Sequence, residues 1–329
     1  QGEEITSNML LDILFILIGF ALLVKGGDFL ISGAVAIAQR AKLSPMVIGL
    51  TVIGFGTSLP ELLVGSQAAW AGSSGLAIGN VAGSNIANVA LILGATALIR
   101  PLPSSRMMLR IDVPFMLFAM VLFLIAAFTD GTITRWQGIA MTFTLVAFIT
   151  WEILRSRRAT KAAESAETTA TPMPLWKALL LVAVSLAAMV WGADLLIDGS
   201  TNIAMQLGNH FGVNPKEMER IIGLTIVAVG TSLPELFASV IAARKGETDM
   251  AVGNIVGSVS FNILCVVGVS SAITPIQNAW TPFMFDYLVM LALGLVLLLF
   301  LRTKHLLERW EGAVLLLAYV LYIARTLYI

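Results

Sequence analysis

Long apolar stretches separated by short polar breaks dominate the chain. A helix needs about 20 mostly apolar residues to cross a membrane, and by that measure the pattern predicts ten spans. Their expected bounds are 9–39, 44–70, 75–99, 107–128, 134–154, 175–207, 218–243, 248–272, 282–301 and 309–328. The first and sixth segments exceed one straight crossing, so we expect both helices to be tilted.

The composition supports a chain embedded in the lipid bilayer. Of 329 residues, 58% are hydrophobic and 12% are charged, and the mean hydropathy is +0.90. Soluble proteins have about 25% charged residues. Twenty Lys and Arg balance twenty Asp and Glu, so the net charge favours no nucleic-acid partner. The sequence also carries no nucleotide loop or hydrolase motif. We therefore expect no enzymatic activity, no cofactor and no obligatory protein partner.

The basic residues predict the orientation of the chain. If the N-terminus lies outside, fifteen of the twenty Lys and Arg face the cytoplasm, four face outward, and Lys25 lies within the first span. Basic residues concentrate on the cytoplasmic side of membrane proteins. We expect a multi-pass protein of the cell membrane with both termini extracytoplasmic. The one long connection, 156–174 with Arg155 at its edge, is predicted to be a flexible cytoplasmic linker without chemistry of its own.

The two halves of the chain repeat each other. Residues 49–101 align with 223–275 without a gap at a constant offset of 174, and 22 of the 53 aligned pairs are identical. Each half holds five spans, and because five is odd, the halves must have opposite orientations in the membrane. We therefore predict an all-α integral membrane fold of two inverted five-helix repeats, 1–155 and 175–329, with broken helices 2 and 7. This pattern is typical of secondary transporters.

A glutamate and a proline lie inside each broken span. Glu61 and Glu235 have apolar residues on either side, and an ionisable side chain at membrane depth costs roughly 2.5–3.5 kcal/mol or more. A purely structural glutamate has little reason to recur with identical neighbours in both halves. Pro60 and Pro234 break the helix about one turn before each glutamate. The break frees carbonyl oxygens beside the carboxylates.

Further oxygen-bearing side chains flank both glutamates. A Thr-Ser pair precedes each one, and the next span carries Asn, Ser and Asn at every fourth position, on one face of the helix. The candidates are Thr57, Ser58, Asn80, Ser84 and Asn88 in the first half, and Thr231, Ser232, Asn254, Ser258 and Asn262 in the second. Hydrogen bonding between helices is the alternative role for these stripes, above all for Asn80 and Asn254. A set of oxygens that includes two carboxylates suits Ca²⁺ and Na⁺ and does not suit Zn²⁺ or Cu⁺.

The paired Gly-Thr-Ser-Leu-Pro-Glu motifs, each followed by Gly-Asn-x-x-Gly-Ser-x-x-x-Asn, resemble the two α-repeats of the cation/Ca²⁺ antiporter superfamily. The prokaryotic Na⁺/Ca²⁺ exchanger branch is the nearest match. The resemblance implies that Na⁺ and Ca²⁺ compete for overlapping sites between spans 2, 3, 7 and 8. It implies side-chain ligands at Glu61, Glu235, Thr57, Ser58, Ser84, Asn88, Thr231, Ser232, Ser258 and Asn262, and backbone ligands at Gly54 and Ala228.

Two departures from the family pattern fall in the second repeat. Some relatives have an acid where Asn262 stands, and Val259 replaces the asparagine of a typical Gly-Ser-Asn triplet. The site is thus left with two intramembrane carboxylates, which is enough to balance one Ca²⁺. A K⁺-dependent exchanger becomes less favoured.

Three functions agree with these observations. The first is Na⁺/Ca²⁺ antiport by alternating access, in which either ion compensates the charge of Glu61 and Glu235. The second keeps the fold and uses H⁺ as the counter-ion, so that protons neutralise the two carboxylates. The third is a gated cation channel, which shares the buried acids but needs no occluded, charge-compensated site.

Polar residues at the predicted ends of spans have simpler explanations. Helix capping accounts for Asp112 and Asp286, which match each other at the offset of 174. Anchoring at the membrane interface accounts for Trp136 and Trp310, because tryptophan is enriched at the level of the headgroups.

Overall fold

A computed structural model describes residues 2–129, 131–162, 173–210, 214, 218, 228–277 and 283–328. Within these ranges the chain is almost entirely helical, and every predicted span coincides with a helical segment. The segments are α1 (Gly2–Ala41), α2 (Pro45–Thr57 and Leu59–Trp70), α3 (Ser74–Ile99), α4 (Met108–Phe128), α5 (Arg135–Ala162), α6 (Leu175–His210), α7 (Ala228–Gly230 and Leu233–Lys245), α8 (Thr248–Ile273), α9 (Met284–Lys304) and α10 (Arg309–Tyr328). The beginning of the predicted seventh span, before residue 228, lies outside the described ranges.

The helices differ in how deeply they are buried. Over the described residues, seven helices and the bent pair of α2 are long and apolar enough to cross a membrane. The most apolar windows of α8 and α3 are 89% and 72% buried, against 22% for α1 and α5. The centre of the bundle is therefore formed by α3 and α8, and the other helices pack around them.

Both broken helices are interrupted at a serine. The backbone of Ser58 has φ −85° and ψ 6°, and that of Ser232 has φ −91° and ψ 7°, so neither continues the helix. The two pieces of α2 meet at an angle of 46°. Pro60 and Pro234 then occupy the first turn of the second piece, where a missing amide hydrogen breaks no helical bond. The sequence predicts each break about one turn before the glutamate. In the structure the break is slightly nearer, at the serine three residues before the glutamate.

Pairs of main-chain contacts reveal the inverted symmetry. Two-residue strands β1 (Leu102–Pro103) and β2 (Leu306–Leu307) pair antiparallel, with Leu102 opposite Leu307. An isolated bridge joins Ile133 to Ile276. Adding 174 to Leu102 gives Ile276, and adding 174 to Ile133 gives Leu307, so the two pairs are one contact made twice. Each pair joins one repeat to the other, as expected for halves related by a twofold axis.

Glycines repeat the same relation inside the bundle. A Cβ on Gly94 would lie 2.9 Å from the carbonyl oxygen of Gly312, and a Cβ on Gly268 would lie 3.0 Å from that of Gly138. Adding 174 to Gly94 gives Gly268, and adding 174 to Gly138 gives Gly312, so these two pairs are also one contact made twice. They bring α3 against α10 and α8 against α5 at backbone distance. The predicted all-α fold of two inverted five-helix repeats is confirmed.

The predicted linker begins later than expected. Helix α5 continues to Ala162, seven residues beyond the assigned boundary, and the rest of the linker up to 172 lies outside the described residues. Arg155 is not a solvated linker residue, because its guanidinium lies 2.6 Å from the carboxylate of Glu152, which is 0% exposed. The apolar pattern ends near residue 154, but helical hydrogen bonding does not require apolar side chains and carries the helix further.

Candidate ion-binding site

Glu61 and Glu235 lie at the junction of the two repeats. Both are 0% exposed and occupy the first turn of the second pieces of α2 and α7. Ser58 donates to Glu235 Oε1 at 3.3 Å, and Ser232 donates to Glu61 Oε1 at 3.5 Å. Each carboxylate therefore receives a hydroxyl from the opposite repeat, and the N-terminal end of its own helix favours its negative charge. Among the described residues, no salt bridge involves either glutamate.

The central helices add a wall of oxygens to this junction. From α3, Ser84 donates to Glu61 Oε1 at 3.4 Å. From α8, Ser258 lies 3.4 Å from the hydroxyl of Thr57 and 3.4 Å from the carbonyl oxygen of Gly54. The structure thus brings Glu61, Ser84 and Ser232 together on one side, and Glu235 and Ser58 on the other.

Asn80 and Asn254 form hydrogen bonds with the main chain of the two glutamates. Their amide groups donate to the carbonyl oxygens of Glu61 and Glu235, each at 3.3 Å. Asn254 also accepts from Thr57 at 3.3 Å and donates to Ser239 at 2.9 Å. Of the two roles open for these asparagines, the geometry favours hydrogen bonding between helices. They fix the two glutamates in register with α3 and α8.

Asn88 and Asn262 lie at the start of a π-helical stretch in each repeat, Asn262 as its first residue and Asn88 as its second. The wide turns run over Ala87–Ile92 and Asn262–Val267, and π-turns inside α-helices are frequent at functional sites. Both side chains are 0% exposed. Neither amide atom of Asn88, nor Oδ1 of Asn262, has a hydrogen-bond partner among the described residues. The same holds for Oε2 of Glu61 and of Glu235.

The contacts around the two carboxylates are longer than ordinary hydroxyl hydrogen bonds. Hydroxyl hydrogen bonds are usually 2.7–2.8 Å long, whereas the contacts of the two carboxylates to Ser58, Ser84 and Ser232 measure 3.3–3.5 Å. Oxygens at right angles around a cation at about 2.4 Å lie about 3.4 Å apart. The donor set is entirely oxygen and includes two carboxylates, so it fits hard cations such as Ca²⁺ and Na⁺.

Two of the predicted positions lie at the edge of the described structure. Ala228 begins the short helix Ala228–Gly230, and Thr231 follows it as a half-buried residue. The preceding residues 219–227, which match 45–53 at the offset of 174, lie outside the described ranges. The assignment of Ala228 and Thr231 as ligands stays a prediction.

Sequence reasoning missed two buried polar residues beside the site. Asn85 is 0% exposed and accepts a hydrogen bond from Asn262 at 3.2 Å. Ser239 is 0% exposed and accepts from Asn254. At the offset of 174 their counterparts are Val259 and Gly65, so a search for repeated residues passes over both. Their signal is a polar residue in an apolar span that the other half lacks.

Asp112 is not the helix cap that its position predicted. Its side chain makes no capping hydrogen bond, and it is 2% exposed, with Glu152 and Arg155 as its charged neighbours. Asp286, the matching residue, accepts from the hydroxyl of Tyr322 at 3.0 Å. Trp136 and Trp310 are 79% and 58% exposed, as expected for residues that face the lipid interface.

Fold and site together define a multi-pass membrane protein of the cation/Ca²⁺ exchange class. The chain belongs to the sodium/calcium exchanger protein family, which matches residues 11–154 and 177–328. The protein CaxA of Alkalimonas amylolytica is 38% identical over 322 residues, covering 95% of this chain and 98% of its own. The sodium/calcium exchanger MaX1 of Methanosarcina acetivorans is 35% identical over 356 residues, covering 96% and 98%.

Solved structures agree with this assignment. A structure of the sodium-calcium exchanger NCX_Mj, soaked with Na⁺ and Ca²⁺, superposes with a TM-score of 0.80 at 28% sequence identity. The match covers 95% of this chain and 98% of that one. Both MaX1 and NCX_Mj are sodium/calcium exchangers by name. Similarity therefore extends over both repeats and does not end with the duplicated motifs.

Proposed function

We propose that this protein exchanges Na⁺ for Ca²⁺ by alternating access at the site between α2, α3, α7 and α8. The observation that carries the proposal is the pair of fully buried carboxylates, Glu61 and Glu235, neither of which is paired to a basic side chain of the described residues. Two buried negative charges require a compensating charge. One Ca²⁺ or two Na⁺ supply it equally, so the ions compete for the same oxygens.

Competition of this kind produces antiport. When the site closes without a cation, the two carboxylates are desolvated together and repel each other, so the transition between inward and outward states is slow. Either ion removes this barrier. Net movement of Ca²⁺ then requires Na⁺ to return through the same oxygens, and a Na⁺ gradient drives Ca²⁺ flux. Alternating access at a midplane site between inverted repeats is the general mechanism of such folds.

We assign the ligand set as follows. The carboxylates of Glu61 and Glu235, with Ser58, Ser84 and Ser232, surround the two charges, and Thr57 and Ser258 complete the wall near the carbonyl oxygen of Gly54. Asn88 and Asn262 provide amide oxygens one turn further along α3 and α8. The full proposed set is Thr57, Ser58, Glu61, Ser84, Asn88, Thr231, Ser232, Glu235, Ser258 and Asn262, with backbone oxygens of Gly54 and Ala228.

The test is Ca²⁺ uptake by purified protein in proteoliposomes under an imposed Na⁺ gradient, a pH gradient, or neither. The proposal predicts uptake that requires an outwardly directed Na⁺ gradient and ceases when the gradient is collapsed with a Na⁺ ionophore. Uptake that follows only the pH gradient would make the protein a Ca²⁺/H⁺ antiporter. Ca²⁺ flux that needs no counter-ion would make it a channel.

The orientation of the chain is part of the same proposal. The bias of Lys and Arg places the loops between α2 and α3 and between α8 and α9 outside, together with both termini. Single cysteines at Gly72 and at Arg157, in a Cys265→Ala background, test this with a membrane-impermeant maleimide on intact cells. Labelling of the cysteine at 72 and protection of that at 157 is the expected pattern, and the reverse would invert the topology.

A further inference from the structure

Asn85 is a buried amide that contacts the site through one hydrogen bond. It lies next to Ser84 on α3, is 0% exposed, and its Oδ1 accepts a hydrogen bond from Nδ2 of Asn262 at 3.2 Å. Its own amide nitrogen lies 3.7 Å from the sulfur of Met290 on α9. An asparagine in an apolar interior is costly unless its polar atoms are satisfied, and here the partner is a proposed ion ligand of the opposite repeat.

The matching position in the other repeat holds no such partner. Val259, at the offset of 174, stands where an asparagine would face Asn88, and it is 0% exposed. The two symmetric amides therefore differ in one respect. Asn262 has its nitrogen anchored and only its oxygen without a partner, whereas both polar atoms of Asn88 have none among the described residues. The repeats are therefore asymmetric at this contact.

The contact decides which end of the Asn262 amide faces away from Asn85. A side-chain amide carries an acceptor on one side and two donors on the other, and the two ends have nearly the same shape. Packing alone cannot select between them. A hydrogen bond from Nδ2 to Asn85 fixes the nitrogen end, and Oδ1 then points in the other direction as a free acceptor. A flipped amide would present N–H groups to a cation and repel it.

We propose that Asn85 is a positioning residue that holds the amide of Asn262 with its oxygen available to Ca²⁺. The inference rests on the proposed function, because Asn262 is an ion ligand only there. Asn88 has no equivalent support, so the bound ion itself must orient that amide. Loss of Asn85 removes pre-organisation from one ligand, which weakens ion binding and leaves the transport cycle intact.

The first experiment compares Asn85→Val with Asn85→Thr in Na⁺-driven Ca²⁺ uptake. Valine is the residue that the other repeat uses, and threonine has nearly the same shape but carries a hydroxyl oxygen that accepts a hydrogen bond without adding a charge. The expected result for valine is a KM for Ca²⁺ raised about tenfold, the usual size of coupling between contacting residues, with a maximal rate within about twofold of the parent's. Threonine should restore part of the affinity. Equal impairment by both variants, or a parental KM in the valine variant, would overturn the proposal.

A double-mutant cycle separates positioning from simple packing. Ca²⁺ affinity is measured by calorimetry on protein in detergent for Asn85→Val alone, and in the Asn262→Ala and Asn88→Ala backgrounds. If Asn85 acts through Asn262, its loss changes nothing once that amide is gone, but keeps its full effect in the Asn88→Ala background. The same loss of affinity in both backgrounds would contradict the proposal.

Val259→Asn keeps the inference testable if Asn85→Val does not fold. It gives Asn88 the partner that it lacks, and the expected result is a KM for Ca²⁺ lowered several-fold. An unchanged or raised KM counts against the inference. The parent protein distinguishes the two levels of failure. Absence of Na⁺-driven uptake in the parent defeats the proposed function, whereas parental uptake with Asn85 variants that behave like the parent defeats only this inference.

Discussion

The ion site and the ends of the peripheral helices differ in how far matched residues of the two repeats make the same contacts. At the site, two pairs of matched contacts to the glutamates agree closely. Ser58 to Glu235 is 3.3 Å and Ser232 to Glu61 is 3.5 Å, and the asparagine contacts to the two glutamate carbonyls are both 3.3 Å. At the helix ends, Asp112 has Glu152 and Arg155 as charged neighbours, whereas its counterpart Asp286 accepts from Tyr322 and has Arg325 nearby.

The difference reflects the kind of partner that each region requires. A cation between two repeats contacts both at once, so its oxygens must be supplied from equivalent places in each half. An aspartate near a helix end needs only some partner for its charge. Arg155 lies near Asp112, whereas the Tyr322 hydroxyl and the charge of Arg325 lie near Asp286. Contacts are preserved in both halves where the two halves bind one ligand. They differ where each half only has to provide a partner for its own charged side chain.

The largest expected effect comes from removing either site charge. Glu61→Gln and Glu235→Gln should each reduce Ca²⁺ uptake at least 100-fold, roughly the loss expected for a ligand worth 3 kcal/mol or more. The amide keeps the volume of the side chain, so the folded protein should persist. Uptake in proteoliposomes measures the loss, and Glu308→Gln on the surface loop before α10 is the matched control. If only one glutamate proves necessary, the site is not symmetric.

A third carboxylate should change the ion coupling. Asn262→Asp adds negative charge to a site whose two glutamates already balance one Ca²⁺, and it removes the donor that Asn85 accepts from. A buried extra charge needs a proton or a monovalent ion beside it. Ca²⁺ flux of the variant should therefore depend more steeply on pH or K⁺ than that of the parent. Superimposable pH and K⁺ titrations would mean that Asn262 lies outside the ion cavity.

The unmatched helix ends predict an unequal response to loss of an arginine. Arg155→Ala leaves Glu152 buried without its cation and should destabilise the protein by about 2–3 kcal/mol, a little below the range for fully buried pairs, because Arg155 is 21% exposed. Arg325, the cation at the other end, stacks on Phe285 at 3.3 Å and is exposed. Its removal should cost about 0.5–1 kcal/mol. Thermal melts in detergent give the order, and equal shifts would contradict it.

The smallest expected effect concerns the two matched helix caps. Gln137 accepts from the main-chain amide of Thr134 at 2.7 Å, and Glu311 accepts from that of Glu308 at 2.8 Å. Gln137→Ala and Glu311→Ala should each destabilise the protein by about 1 kcal/mol, with transport unchanged. A large difference between the two melting temperatures would show that matched geometry does not imply matched energy.

Glu308 adds a pH dependence at one of these caps. Hydrogen bonds from Lys304 and Trp310 lower the pKa of Glu308, which lies in the turn between α9 and α10. A carboxyl whose pKa falls on folding contributes stability above its unfolded value of 4.5, and the contribution is lost as the pH drops through the lowered value. Because the group is exposed, the contribution is small.

The sequence by itself determined the ten helices, the duplication and the two glutamates. Apolar runs of the right length have no alternative to helix in a membrane, since every backbone amide must be satisfied within its own segment. The repetition of Gly-Thr-Ser-Leu-Pro-Glu marked the site because identical residues in inverted halves can meet at one axis. Asn85 was missed because its counterpart in the other half is Val259, and a search for repeated residues passes over an unmatched one.

Only the tertiary structure decided which side chains meet. The crossing of Ser58 to Glu235 and of Ser232 to Glu61 joins residues 177 and 171 positions apart, and no local pattern specifies such a pair. The sequence placed Asp112 at a helix end and Arg155 at the edge of a linker. In the structure both belong to a buried charge cluster. Burial depends on what packs over a residue, and here that is set by helices far away in the chain.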